Sequence, residues 1–261
     1  MNQDEKLKKM RAKLERIQNP QKGGGDSNYL NLQMGKNQVR ILPYESKQPS
    51  TEGLFYVETA THQIIENGQK KYVHCPRAVD KDHRCPICEK YWELWKLAEK
   101  FGSEKIKKLA RSLKPRARYY ANVIDRATGE VKIWSHGMKL NEQLMEAFLD
   151  EDIGDFTDLK TGRDWDIIKK EVEGYPNYDS SKPKMKATDV PADEAKGYLE
   201  KRHKLEDCVK YLDEEELERL GNIAFLQADE YLPQATEEEE APFDTDDESG
   251  DFQKHLEGLK D

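Results

Sequence analysis

Cys75, Cys85 and Cys88 crowd within fourteen positions of a chain whose one other cysteine, Cys208, stands far downstream. Cys85-Pro86-Ile87-Cys88 is a knuckle whose two-residue spacing lets both thiolates reach one metal ion, and Cys75 offers a third ligand from the end of an expected strand. Three histidines compete for the fourth place. His74 adjoins Cys75, which makes joint ligation awkward. His83 lies in the loop just ahead of Cys85, and His62 lies across an expected hairpin from Cys75. We take His62, with His83 in reserve, which gives His62-x12-Cys75-x9-Cys85-x2-Cys88. Three soft ligands and an imidazole suit zinc and leave no open position, so the expected cofactor is one structural Zn2+. Any fold this chain adopts must bring those four side chains to a point.

Other chemistries fit less well. A disulfide framework belongs to small, Cys-dense secreted chains, whereas clustered thiols in a reducing compartment are more often metal ligands. The sequence has no apolar leader at its start and no run of 18 uncharged apolar residues, so an intracellular, non-membrane protein is expected. Neither an H-E-x-x-H motif nor the zinc-deaminase pattern occurs, and no Gly-rich loop would cradle a phosphate. The chain reads as a non-enzyme.

The periodicity is mixed. Short β-like runs occupy Val39–Leu42, Leu54–Thr59, Tyr119–Ile124, Val131–Trp134 and Asp164–Val172. Asn67-Gly68 between Gln63–Ile65 and Lys70–Val73 predicts a hairpin. Pro86–Phe101 places Ile87, Tyr91, Leu94, Ala98 and Phe101 on one helical face, and further helical patterns cover Lys105–Leu113 and Asn141–Leu149. Strands with interposed helices predict a small barrel carrying a helical insertion rather than βαβ units. Past Pro191 the pattern is acidic and helical.

Charge is distributed unevenly. The net charge is -9 over 261 residues, yet residues 1–22 hold seven Lys/Arg against three acids, and residues 66–118 hold fifteen against seven. Residues 237–261 hold eleven acids and two lysines. The expected layout is a basic amphipathic arm over 1–22, a core over 23–236 with a zinc subdomain at about 60–115, and a disordered acidic tail over 237–261. Rings punctuate the basic middle, among them Tyr72, Tyr91, Trp92, Trp95 and Trp134. The densest stretch is Lys114-Pro115-Arg116-Ala117-Arg118-Tyr119-Tyr120. Cations that track phosphates, together with exposed rings that stack on bases, are how proteins hold single strands without sequence preference. The adjacent Tyr119 and Tyr120 must point to opposite faces of a strand, so one is expected in the core and the other on the surface.

These residues resemble the single-stranded-DNA-binding (helix-destabilising) protein family of T-even-type bacteriophages. The His-x12-Cys-x9-Cys-x2-Cys spacing matches that family's zinc site. Four further stretches resemble that family: Gln38–Pro43, Tyr72 just ahead of Cys75, Tyr119-Tyr120-Ala121-Asn122 and Gly174–Lys182. The resemblance implies an OB-fold-like barrel with an inserted zinc subdomain and DNA in the cleft between them. The DNA-facing rings it implies are Tyr72, Tyr119, Tyr120, Trp134, Tyr175 and Tyr178. It also implies cooperative self-association through the basic arm, and replication and recombination partners for the acidic tail. The family's Lys-Arg-Lys-Ser/Thr arm motif is replaced here by Lys6-Leu7-Lys8-Lys9-Met10-Arg11, and the segment from Cys88 to Tyr119 is longer.

The expected function is therefore to coat and protect transient single strands and remove hairpins during DNA replication, recombination and repair, in the host-cell cytoplasm if the chain is phage-encoded. One alternative is a zinc-containing, sequence-specific nucleic-acid-binding regulator, which would favour one sequence strongly. A metal-dependent nuclease is the other.

Overall fold

A computed structural model describes residues 28–78 and 80–229. The basic arm and the acidic tail, whose self-association, disorder and partners were read from sequence, lie outside the described residues. Within them, eight strands and five α-helices make a mixed α+β fold around a curled antiparallel half-barrel.

The strands β1 (Gly35–Ile41), β2 (Tyr56–Glu66), β3 (Gln69–His74), β4 (Arg116–Asp125), β5 (Glu130–His136), β6 (Trp165–Val172), β7 (Tyr175–Asn177) and β8 (Lys182–Pro183) form one sheet. Its path runs β3-β2-β4-β1-β6-β7, with β5 on β4 and β8 on β6. One edge of β4 is shared: its first half pairs with β2 (Thr61 opposite Arg116) and its second half with β1 (Ile41 opposite Val123). Two partners in succession along one strand bend the sheet. Beyond β7, burial raises the Tyr178 hydroxyl above its ordinary range, and the charge of the Arg118 guanidinium on β4 opposes that rise.

Turn chemistry fixes the hairpins. Asn67 and Gly68 both take positive φ, 51° and 75°, the backbone of a tight turn that matches strand twist. The ladder then closes with Glu66 opposite Gln69. Glu173 and Gly174 repeat this between β6 and β7, with Val172 opposite Tyr175.

The five helices are α1 (Pro86–Phe101), α2 (Glu104–Leu113), α3 (Met138–Leu149), α4 (Ala192–Glu200) and α5 (Glu214–Asp229). α1 begins with Pro86, whose missing N–H is no loss in a first turn. It stops at Gly102, left-handed at φ 61°, where the Gly102 and Ser103 amides donate to the Glu99 and Ala98 carbonyls. Ser103 then caps α2 by accepting from the Ile106 amide. The acidic, helical stretch past Pro191 divides into α4 and α5, with a 3-10 turn at Leu205–Cys208 between them.

The barrel core gathers Val39, Ile41, Phe55, Tyr56, Trp134, Phe156 and Trp165 against Leu140 and Leu144 of α3. Phe156 sits edge-on to Phe55 and Trp165, with centroids 5.4 Å away in each case. Arg40, on β1 between Val39 and Ile41, points the other way and is fully buried. Its guanidinium donates to the Thr188 carbonyl at 2.7 Å and lies 3.5 Å from Asp164, which Arg126 also engages.

Candidate metal centre and nucleic-acid interface

β2 outruns the barrel, and its far end with β3, α1, α2 and α5 forms the metal module. The side chains of His62, Cys75, Cys85 and Cys88 are buried and their ligand atoms all lie within 4.8 Å of one another. His62 Nε2 stands 3.3 Å from Cys85 Sγ and 3.7 Å from Cys88 Sγ, and Cys75 Sγ lies 3.6 Å from Cys88 Sγ. A tetrahedron with metal–sulfur bonds of about 2.3 Å has edges of roughly 3.8 Å. The four donors therefore have the spacing of the corners around one ion.

Each ligand has a local reason to be there. The knuckle precedes α1, so Cys85 occupies the N-cap position and Cys88 the first turn. The Cys75 amide donates to the Ala60 carbonyl at 2.8 Å, holding the end of β3 against β2. His62 lies opposite Val73 in that ladder. Its Nδ1–H donates to the Leu113 carbonyl at 2.6 Å, which leaves Nε2 free to face the thiols. Burial opposes charge on the ring, but Cys75 and Cys85 outweigh it and push His62 up to about 9. Hydrogen bonds from Cys75 and Cys88 hold the Cys85 thiol far below its ordinary range, and Cys88 is driven far above it. Charge crowded into so small a buried space is a donor set suited to a divalent cation. The reserve ligand is elsewhere: His83 is exposed and faces Asp80 at 3.1 Å. His74 hydrogen-bonds Tyr120 and the Lys210 backbone instead.

The pleat sorts the expected DNA-contacting residues onto two faces, because residues directly opposite in a ladder share a side and alternate residues return to it. Tyr72 opposes Gln63, Arg116 opposes Thr61, Arg118 opposes Thr59 and Tyr120 opposes Val57. All four therefore share the outer face. Tyr119, Trp134 and His136 face the core. Tyr72 is 58% exposed, Lys114 and Arg116 are exposed and Arg118 is half-buried.

Two of the expected stacking rings are not surface platforms. Trp134 is 1% exposed and stacks on His136 at 4.4 Å, so its place is the core; that expectation is corrected by the direction of the β5 pleat. Tyr120 lies on the outer face but is 7% exposed, because Leu205 and Cys208 pack over it. Cys208 thus serves as a small buried hydrophobe. Tyr119 is half-buried at the rim of the core, edge-on to Tyr56 and stacked on His136 at 5.6 Å. Tyr175 is 75% exposed at its hairpin, and Tyr178 is half-buried against the core. Where Tyr72 meets the covering segment, a hollow of about 310 Å³ opens between Tyr29, Tyr72, His74, Lys210 and Leu212. The covering segment left no signal in the sequence, since nothing in Lys204–Leu212 indicates which sheet face it crosses.

A half-barrel with rings and guanidinium groups on its outer face, joined to a four-ligand metal module, has the make-up of a nucleic-acid-binding protein. The family model described as gp32 DNA binding protein like matches residues 33–225, well over half of the chain. The chain belongs to that family and is a DNA-binding protein. No curated protein matches it. No helix among the described residues is long and apolar enough to cross a membrane.

Proposed function

We propose that the protein binds single-stranded DNA with little sequence preference and coats it during replication, recombination and repair, without chemistry on the strand. The observation that carries this reading is the outer sheet face. Arg116 and Arg118 supply cations on the same face as the exposed ring of Tyr72. Rings stack on any base and cations follow any backbone, so such a face accepts most sequences. A duplex hides the faces of its bases, and preferential binding to open strands then lowers duplex stability by mass action.

In this reading the metal is zinc, held by His62, Cys75, Cys85 and Cys88. It supplies no reaction chemistry; four protein ligands leave no open coordination position. Its work is to fasten the end of β2 to β3 and to α1, which keeps Tyr72 on the same sheet face as Arg116, with β2 between them. The Leu113 carbonyl orients the His62 ring from the end of α2.

The deciding measurement is a titration of labelled oligo-dT, oligo-dA and a duplex of equal length. Similar affinity for both single strands with weaker binding to duplex supports the proposal. A strong preference for one sequence would establish the regulator instead, and cleavage of the strands with added magnesium would establish a nuclease.

A further inference from the structure

The metal module carries a second array of rings and cations that the sheet face does not use. On α1, Trp92, Trp95, Lys96 and Glu99 recur at spacings of three and four, on the side opposite the buried Ile87, Tyr91 and Leu94. Trp92 is 51% exposed, and a second tryptophan, Trp95, follows it three residues on. The Trp92 ring lies 4.7 Å from that of Tyr91, which anchors it from below. Trp95 is half-buried, with Lys107 Nζ 5.5 Å and the Arg111 guanidinium 5.8 Å from its ring centre. Both cations come from one face of α2, a single turn apart. Its indole N–H donates to Glu99 at 2.7 Å, which fixes the ring plane.

We infer that this outer face of the α1–α2 hairpin is a second contact for single-stranded nucleic acid, in which Trp92 stacks on a base while Lys96, Lys107 and Arg111 meet the flanking phosphates. The inference rests on the proposed single-strand binding and adds a site to it. Charge favours this occupant: Lys107 meets Glu104 at 3.5 Å, while Lys96, Lys108 and Arg111 have no acidic partner among the described residues. An apolar protein surface would gain from Trp92 but would strand those cations, whereas a polyanion with flat bases satisfies both. Only Lys114 and Pro115 lie between α2 and β4, so the chain leads from Arg111 to Arg116 and Arg118 on the sheet. A strand longer than the sheet face accommodates is the one that reaches the hairpin.

The test compares oligo-dT of about 6 nucleotides, near the lower end of the roughly 4–16 that one such barrel face covers, with oligo-dT of about 20, beyond its upper end. Wild-type protein is set beside Trp92→Ala, Trp92→Phe and a Lys107→Gln/Arg111→Gln double variant, each checked for metal content and melting temperature. The short oligomer is expected to bind all four proteins alike. The long one is expected to bind Trp92→Ala about 5- to 150-fold more weakly, with Trp92→Phe restoring most of the loss. The double variant is expected to lower the slope of log K against log salt by about 1.4 on the long oligomer alone. Equal affinities at both lengths, or equal weakening at both, overturn the inference while leaving single-strand binding intact. Failure of wild-type protein to prefer single strands is read on that protein alone and defeats the underlying proposal.

Discussion

The imidazole of His62 and the backbone carbonyl of Leu113 meet at 2.6 Å, which joins the metal centre to the last residue of α2, three residues ahead of the basic start of β4. Loss of the metal should therefore be felt across the module before the barrel. With Cys85→Ser, or after chelation, amide exchange is expected to accelerate over residues 60–113 while β1, β5 and β6 keep their protection. Metal analysis should find one zinc per chain in the native protein and less in the variant. Native protein with no stoichiometric zinc would defeat the assignment of the ion.

The two faces of the sheet separate two kinds of ring. Tyr72→Ala removes an exposed platform and is expected to cost about 1–3 kcal/mol of single-strand affinity with little change in stability. Trp134→Ala empties a core site and is expected to cost about 3–5 kcal/mol of stability. Denaturant unfolding and strand titration on the same two variants would show the crossing pattern. An affinity loss in the Trp134 variant at a temperature where it remains fully folded would return that ring to the binding surface.

How much of this was legible in the sequence varied with the range of the interaction involved. The hairpin at Asn67-Gly68, the extents of α1 and α2, and the metal set including His62 rest on local chemistry: turn residues, a proline and a glycine at helix ends, and ligand spacing. Strand order was not legible, since β4 pairs with β2, β1 and β5 through residues distant in sequence. The misplaced rings follow from that. Alternation says that Tyr119 and Tyr120 point to opposite sides, but only the ladder to Val57 shows that Tyr120 is outward. Only the packing of Leu205 and Cys208 shows that it is covered. Burial of Arg40 was invisible for the same reason, because its partners Thr188 and Asp164 are distant from it in the sequence.

His136 provides a pH dependence. It is buried between Trp134 and Tyr119, and its Nε2–H donates to Asn141 at 3.2 Å. Burial pushes it down from 6.5 to about 4. Below pH 6.5 the unfolded chain takes up a proton that the folded one refuses until about pH 4, so unfolding gains as the pH falls. The contribution of the neutral ring is complete above pH 6.5 and is lost between there and about pH 4, on the order of 3 kcal/mol in all. Urea unfolding across that range should show the decline, and His136→Gln should flatten it. An unchanged slope in the variant would assign the acid sensitivity to other groups.

The last expectation concerns charge read from the sequence. Residues 237–261 carry eleven acids and two lysines, on the same chain as a segment, 66–118, with fifteen Lys/Arg and seven acids. A tethered polyanion meets its own chain's basic surface at high effective concentration. It should then compete with a strand for Arg116, Arg118 and the other cations. Deleting 237–261 is expected to raise single-strand affinity, most strongly at low ionic strength, because exposed charges are screened by salt. Hairpin opening should quicken, since transiently open strands would meet a vacant surface. The slope of log K against log salt should steepen as well, because a surface vacated by the tail regains counterions that the strand must displace. A tail that only recruits other proteins predicts instead that full-length and truncated chains bind equally at low and at high salt.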